Sequence, residues 1–132
     1  MVRLTIEVME EESPVNVFLW IVAGLLAAMF LLAGAMKIAT PKEKLLKTMK
    51  WAETWTETQL RALGTVEVLG AVGLVLPRAL NIAPVLTPVA AVGCAVVMIG
   101  AVITHIRMKD YTGVAMPGML LILAVIVAAG RF

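Results

Sequence analysis

Hydrophobic positions in this chain fall into long unbroken runs, neither alternating nor confined to one helical stripe, and the charged positions gather between the runs. From Val17 to Met36 there is no charged residue, and at 1.5 Å per residue such a stretch crosses roughly 30 Å of hydrocarbon. Ser13 and Pro14 ahead of it suit a helix start. A second run, LRALGTVEVLGAVGLVLP from Leu60 to Pro77, carries one carboxylate, Glu67, well inside it. A third extends from Ile82 to Thr104, with Pro84 and Pro88 in its first turns, where a missing N–H is tolerated or a bend is made. The fourth, from Val114 to Gly130, is shorter and has Pro117 near its start. The pattern predicts helices over residues 15–38, 60–77, 82–105 and 114–130.

Between the first two runs lies the one polar stretch of any length, TPKEKLLKTMKWAETWTETQ. Leu45, Met49 and Ala52 recur there at helical spacing against lysines 44, 47 and 50, which predicts an amphipathic interfacial helix over residues 42–56. Trp51 and Trp55, four apart, fall on one side of it at headgroup depth. Two roles are open for this segment: an anchor at the membrane surface, or a lid over a polar site. Residues 1–14 form an acidic N-terminal tail, in which VRLTIEV alternates like a short strand with nothing here to pair with.

Composition settles the class. The 132 residues make one domain, and 61% hydrophobic content with 15% charged places the chain outside the range of soluble proteins. The apolar mass is aliphatic with interspersed glycine, which suits closely packed helices in lipid better than a barrel. The expected architecture is an all-α membrane protein: a four-helix antiparallel transmembrane bundle over residues 15–132, with the interfacial helix between helices one and two. A formal net charge of +2, with the cations grouped between spans, excludes a nucleic-acid partner and leaves the lipid bilayer. The first and third connections hold Lys37, Lys42, Lys44, Lys47, Lys50, Arg61, Arg107 and Lys109, against Arg3, Arg78 and Arg131 on the other side. That bias predicts a multi-pass protein of the plasma (inner) membrane with both termini away from the cytoplasm. Ala33-Gly34-Ala35 resembles a signal-peptidase site, but the preceding flank is acidic and the apolar run too long, so the first helix is expected to be retained.

Within this topology Lys37, Arg61, Glu67 and His105 share one leaflet. An ionisable side chain buried in a span is a functional-site candidate, and Glu67 has Gly64, Gly70 and Ala71 on its own face, where another helix can approach. Lys37 follows Ala33 and Gly34, and His105 follows Ala101, so each also has small residues one turn away. A lone carboxylate at that depth must take up a proton or find a cation. Two readings stand side by side: a buried Glu67–Lys37 pair that fixes helix register, or a group that binds or protonates something arriving from the membrane. His105 brings the single imidazole to the same level. Other chemistries find no support. Cys94 is alone, so no disulfide or cysteine-based metal site forms within one chain, and it reads as a small packing residue. One histidine cannot ligate a haem from both faces, and no glycine loop for phosphate or paired nucleophile is present.

The same residues compose a family pattern. Gly34-Ala35-Met36-Lys37, GTVEVLGAVGLVLP from Gly64 to Pro77, and Gly100-Ala101 leading to His105 resemble the DoxX-like family of small four-helix membrane proteins, over Phe30 to the C-terminus. The acidic tail and the tryptophan-bearing connection lie outside the match. The resemblance implies a four-helix bundle related to subunits of thiosulfate:quinone oxidoreductase, with Glu67, Lys37 and His105 at a quinone or proton site. Since the chain has no redox centre of its own, electrons would come from a partner subunit or a bound cofactor. The leading expectation is therefore a membrane subunit that binds a hydrophobic ligand, such as a quinone, at Lys37, Arg61, Glu67 and His105, with Glu67 and His105 as proton-exchanging groups. The alternatives are a dimeric proton-coupled transporter of lipophilic cations, a non-redox enzyme acting on a lipid-like substrate, and a purely structural partner subunit; the partners expected besides lipid are a hydrophobic small molecule and either further copies of the chain or an oxidoreductase subunit.

Overall fold

The computed structural model describes residues 13–132. The acidic tail up to residue 12 lies outside the described residues. Four long helices form the body: α1 (Pro14–Ala39), α3 (Glu57–Ala79), α4 (Leu86–Arg107) and α5 (Ala115–Arg131), with a single short turn of helix, α2 (Lys42–Leu45), after the first. All four long helices are apolar and long enough to span a membrane, that of α5 counted from Thr112, and no strand occurs among the described residues. Each packs on its neighbour in sequence and α5 closes against α1, giving an antiparallel four-helix bundle. This is a multi-pass integral membrane protein.

The helix ends follow local chemistry. Ser13 caps α1 by accepting from the Asn16 amide at 3.1 Å, with Pro14 in the first turn. Thr56 opens α3 with a capping box: its hydroxyl accepts from the Gln59 amide, and the Gln59 side chain accepts from the Thr56 amide. The fourth helix of the chain, α4, begins at Leu86 and not at residue 82, because Asn81 and Ala83 take left-handed backbone angles (φ 54° and 47°) that no helix tolerates. Pro77 lies inside the last turns of α3, which runs on to Ala79.

The connection between α1 and α3 departs most from the sequence pattern. A continuous helix over residues 42–56 does not form. The chain makes α2, turns, and then makes a 3-10 turn at Lys50–Thr54. A regular helix would carry Trp55 some 15 Å beyond Leu45, at 1.5 Å per residue. The break instead folds Leu45, Ala52 and Leu60 into one buried cluster with Trp51 and Trp55 against it, and the Lys42 ammonium donates to the Glu53 carbonyl at 3.0 Å across the fold. The fold-back gains the burial of Leu45, Ala52 and Leu60, and turn hydrogen bonds such as that from the Ala52 amide to the Met49 carbonyl at 3.0 Å replace part of the helical ladder.

Inside the bundle the core centres on Leu26, Phe30, Ala91, Ala124 and Val127, while Ile21, Leu69, Val96 and Ile122 point outward, as a lipid-facing surface requires. At the end holding the chain terminus, Arg131 donates to the Asn16 side-chain oxygen at 2.6 Å and lies over the Trp20 ring, tying the last helix to the first. The closest approach of backbones is between α1 and α3. A Cβ on Gly34 would stand 2.6 Å from the Gly64 carbonyl oxygen, and one on Gly64 equally close to that of Gly34. Neither position has room for a side chain. Gly34→Val or Gly64→Val is expected to destabilise the protein by about 1–3 kcal/mol through forced separation of the two helices. Gly24→Ala, where nothing lies within 4 Å, is expected to be neutral or slightly stabilising. Unfolding in detergent micelles, monitored by circular dichroism, checks both.

Candidate functional site

The glycine crossing is what brings the two buried charges together. Side chains on a helix lean toward its N-terminus, and α1 and α3 run in opposite directions. Lys37, three residues past Gly34, therefore leans back into the bundle, while Glu67, three residues past Gly64, leans out toward the lysine. The Lys37 ammonium donates to both carboxylate oxygens at 3.0 Å, and the two side chains are 6% and 4% exposed. An ammonium has three N–H donors, so one remains after the carboxylate is served. On its other side the ammonium lies 5.7 Å from the centroid of the Trp51 ring, a cation–π contact.

His105 stands near the end of α4 and is held by the turn that follows. Its Nδ1 lies 3.1 Å from the Asp110 carboxylate, which also accepts from the Thr112 hydroxyl and the Gly113 amide, each at 3.2 Å. Lys109 reverses the chain with a φ of 58°, and Gly113 must lack a side chain, since a Cβ there would meet the imidazole at 2.6 Å. A carboxylate only accepts, so in the neutral ring the proton sits on Nδ1 and Nε2 is left as the acceptor nitrogen. The hydrogen bond from His105, followed by that from the Gly113 amide, holds the Asp110 carboxyl below the usual carboxylate range.

Lys37, Glu67 and His105 line one cavity of about 380 Å³. Its remaining wall is apolar, formed by Leu63 of α3, Val97, Met98 and Ala101 of α4, and Leu120 of α5. Met49, Trp51 and Trp55 contribute from the connection between α1 and α3, the two indoles meeting edge to face at 5.7 Å. The two tryptophans thus form the cavity wall on the side of the connection between α1 and α3. Thr104 also reaches the wall, but its hydroxyl is spent on the Gly100 carbonyl at 2.8 Å.

Arg61 is not brought to this group. Six residues before Glu67, it falls about 120° away around α3, where it is exposed and pairs with Glu57 one turn back at 3.2 Å. Sequence spacing also did not disclose the Asp110 partner of His105. The two are five residues apart, but only the left-handed Lys109 turns one back on the other. Cys94 is buried and free, with its sulfur against Gly70. Among the described residues, no group of three or more histidine, cysteine or acidic side chains is placed to hold a metal ion.

Two outcomes follow from this geometry. Lys37→Met and Glu67→Met singly each leave a buried charge unpaired and are expected to cost about 3–5 kcal/mol, whereas the double substitution recovers most of that loss. A double-mutant cycle by unfolding in detergent measures the coupling, and additive losses would contradict it. Protection of the Gly113 amide is expected to be greatest above the ordinary carboxylate range and to fall as pH drops through the lowered Asp110 value, when protonation weakens the side-chain acceptor and leaves the amide chiefly on the Asp110 backbone carbonyl at 3.2 Å. Hydrogen exchange, corrected for the intrinsic pH dependence, reads this directly.

Comparison with known proteins returns one kind of match. No curated protein and no solved structure matches the chain. The model of the DoxX-like family matches residues 21–127, which takes in the glycine crossing, Lys37, Glu67, the connection bearing Trp51 and Trp55, His105, all of α3 and α4 and most of α1 and α5. The chain therefore belongs to the DoxX-like family.

Proposed function

We propose that this protein binds a neutral, carbonyl-bearing hydrophobic molecule of quinone type in the cavity beside Glu67 and so supports membrane redox chemistry. The observation that carries the reading is a buried pair, Lys37 with Glu67, forming part of the wall of an otherwise apolar cavity of about 380 Å³. That volume falls in the range of small-molecule sites, and a few convergent polar groups on an apolar wall are their usual composition. A pair that served only helix register has no need of a cavity beside it.

The chemistry of the donors fits such a ligand. Lys37 and Glu67 cancel each other's charge, which favours a neutral guest, and the third N–H of Lys37 suits a carbonyl oxygen. The indoles of Trp51 and Trp55 offer apolar faces and edges to a planar ring. When a quinone is bound, the redox chemistry resides in its ring, and the electrons come from a partner outside this chain. What the chain's own residues do is position and move protons. Lys37 holds the carbonyl oxygen. Glu67 takes or gives a proton at its carboxylate, and His105, with Nδ1 fixed by Asp110, keeps Nε2 for relay toward the aqueous side. In this reading the end of the bundle bearing Lys42, Lys44, Lys47, Lys50, Arg107 and Lys109 faces the cytoplasm, and the termini face away. Exchange of a lipophilic cation is disfavoured, because the carboxylate it would need is already occupied by Lys37.

Mass spectrometry of small molecules that co-purify in mild detergent tests the proposal. A neutral carbonyl-bearing lipid-soluble compound is expected with the wild-type protein and about tenfold less with Glu67→Gln, which leaves the lysine charge uncompensated and its head group unanchored. Finding no such compound enriched in either protein would overturn the reading.

A further inference from the structure

The cavity has an unequal boundary. Toward the surface end it is covered by Met49, Trp51 and Trp55, on a segment pinned by the buried Leu45, Ala52 and Leu60. Sideways it is not. On one flank α3 and α4 are in tight contact in the half of the bundle away from that cover: a Cβ on Gly70 would stand 3.0 Å from the Cys94 sulfur, and one on Gly73 2.8 Å from the Ala90 Cβ. Leu63 lies seven residues before Gly70 and Ala101 seven after Cys94, which continues the same seam two turns nearer the cover, and there both residues line the cavity. The seam is tight at its glycines and borders the cavity beyond them.

The lining also runs out to the lipid-facing side of α4. Val96 and Gly100 bound the cavity and yet are exposed on the outer surface, Val96 by 62%. Gly100 has nothing within 4 Å of where a Cβ would stand. We infer that the gap between α3 and α4 at Val96 and Gly100 is a lateral portal, through which a neutral ring-bearing molecule dissolved in the bilayer reaches Lys37 and Glu67 without crossing water. This rests on the proposed ligand site and assigns its entrance. The absence of a side chain at residue 100 keeps the portal open. Charged or strongly polar molecules are excluded by the lipid in front of it, and water-borne ones by the tryptophan cover behind.

The test places a side chain in the portal. A Cβ at residue 100 meets nothing within 4 Å and leucine raises helix propensity, so Gly100→Leu is expected to keep the fold. Gly93→Leu, seven residues earlier, is also exposed, also has nothing within 4 Å and does not line the cavity, which makes it the control. Both are made with Trp20→Phe, leaving Trp51 and Trp55 as the reporters, in phosphatidylcholine vesicles mixed rapidly with decylubiquinone. The parent is expected to show a saturable component of fluorescence quenching above the linear collisional background. Gly100→Leu is expected to slow the rise of that component at least tenfold, since an obstructed entrance changes the rate of entry and not the final occupancy, and Gly93→Leu to leave the rate unchanged. Equal rates in the parent and Gly100→Leu would overturn the portal while leaving the ligand site standing. An equal slowing in Gly93→Leu would also overturn the portal, by tracing the effect to the outer face of α4 at large. No saturable component in the parent would overturn the ligand site and its portal together.

Discussion

A charge cannot stay buried among hydrocarbon unless it is matched, and in this bundle the match is one lysine and one carboxylate held by two helices at their closest approach. The pair and the crossing are interdependent. Gly34 and Gly64 let the backbones of α1 and α3 come within reach, and the lean of side chains toward each helix N-terminus then turns Lys37 and Glu67 toward each other. A crossing wider by one methyl group would lengthen both 3.0 Å bonds and leave two charges poorly compensated. Small residues at this point thus serve electrostatics as much as van der Waals packing.

From that fixed point the remaining architecture can be followed outward. The Lys37 head group, anchored on Glu67, meets the face of Trp51 and so links the bundle to the segment that covers it. The cover is held in turn by its own small core of Leu45, Ala52 and Leu60, which breaks what would otherwise be a helix. On the opposite wall the Lys109 turn and the side-chain-free Gly113 fasten His105 to Asp110. The α3–α4 seam, tight at Gly70 and Gly73, borders the space between these walls at Leu63 and Ala101. The result is a largely apolar chamber with the Lys37–Glu67 pair in its wall.

Much of this was legible in the sequence because membrane spans obey a simple rule. Hydropathy alone marks four helices, and their alternation in direction puts the end of the first, the start of the second and the end of the third at one level, which places Lys37, Glu67 and His105 in one leaflet. Composition excludes as much as it includes, through one cysteine and one histidine. What escaped was set by tertiary contacts. The lysines at 44, 47 and 50 gave residues 42–56 a helical period, yet burial of Leu45 and Ala52 against Leu60 favours a folded-back strap. Arg61 sat at a suitable height, but its direction around α3 turns it to solvent and Glu57. Asp110 became a partner of His105 only through a left-handed turn at a lysine, and Asn16 meets Arg131 across 115 positions of chain. None of these has a local signature.

In the proposed function Lys37 and Glu67 are more than a structural pair: the side from which the third N–H is offered decides whether a ligand is held. Reversing the pair with Lys37→Glu and Glu67→Lys together separates the two roles most directly. The reversed protein is expected to retain a matched buried pair and unfold in detergent near the wild-type point, while losing saturable binding of decylubiquinone, because the ammonium then arises from α3. Retained binding at wild-type strength would contradict the account and leave the pair as a pin between two helices.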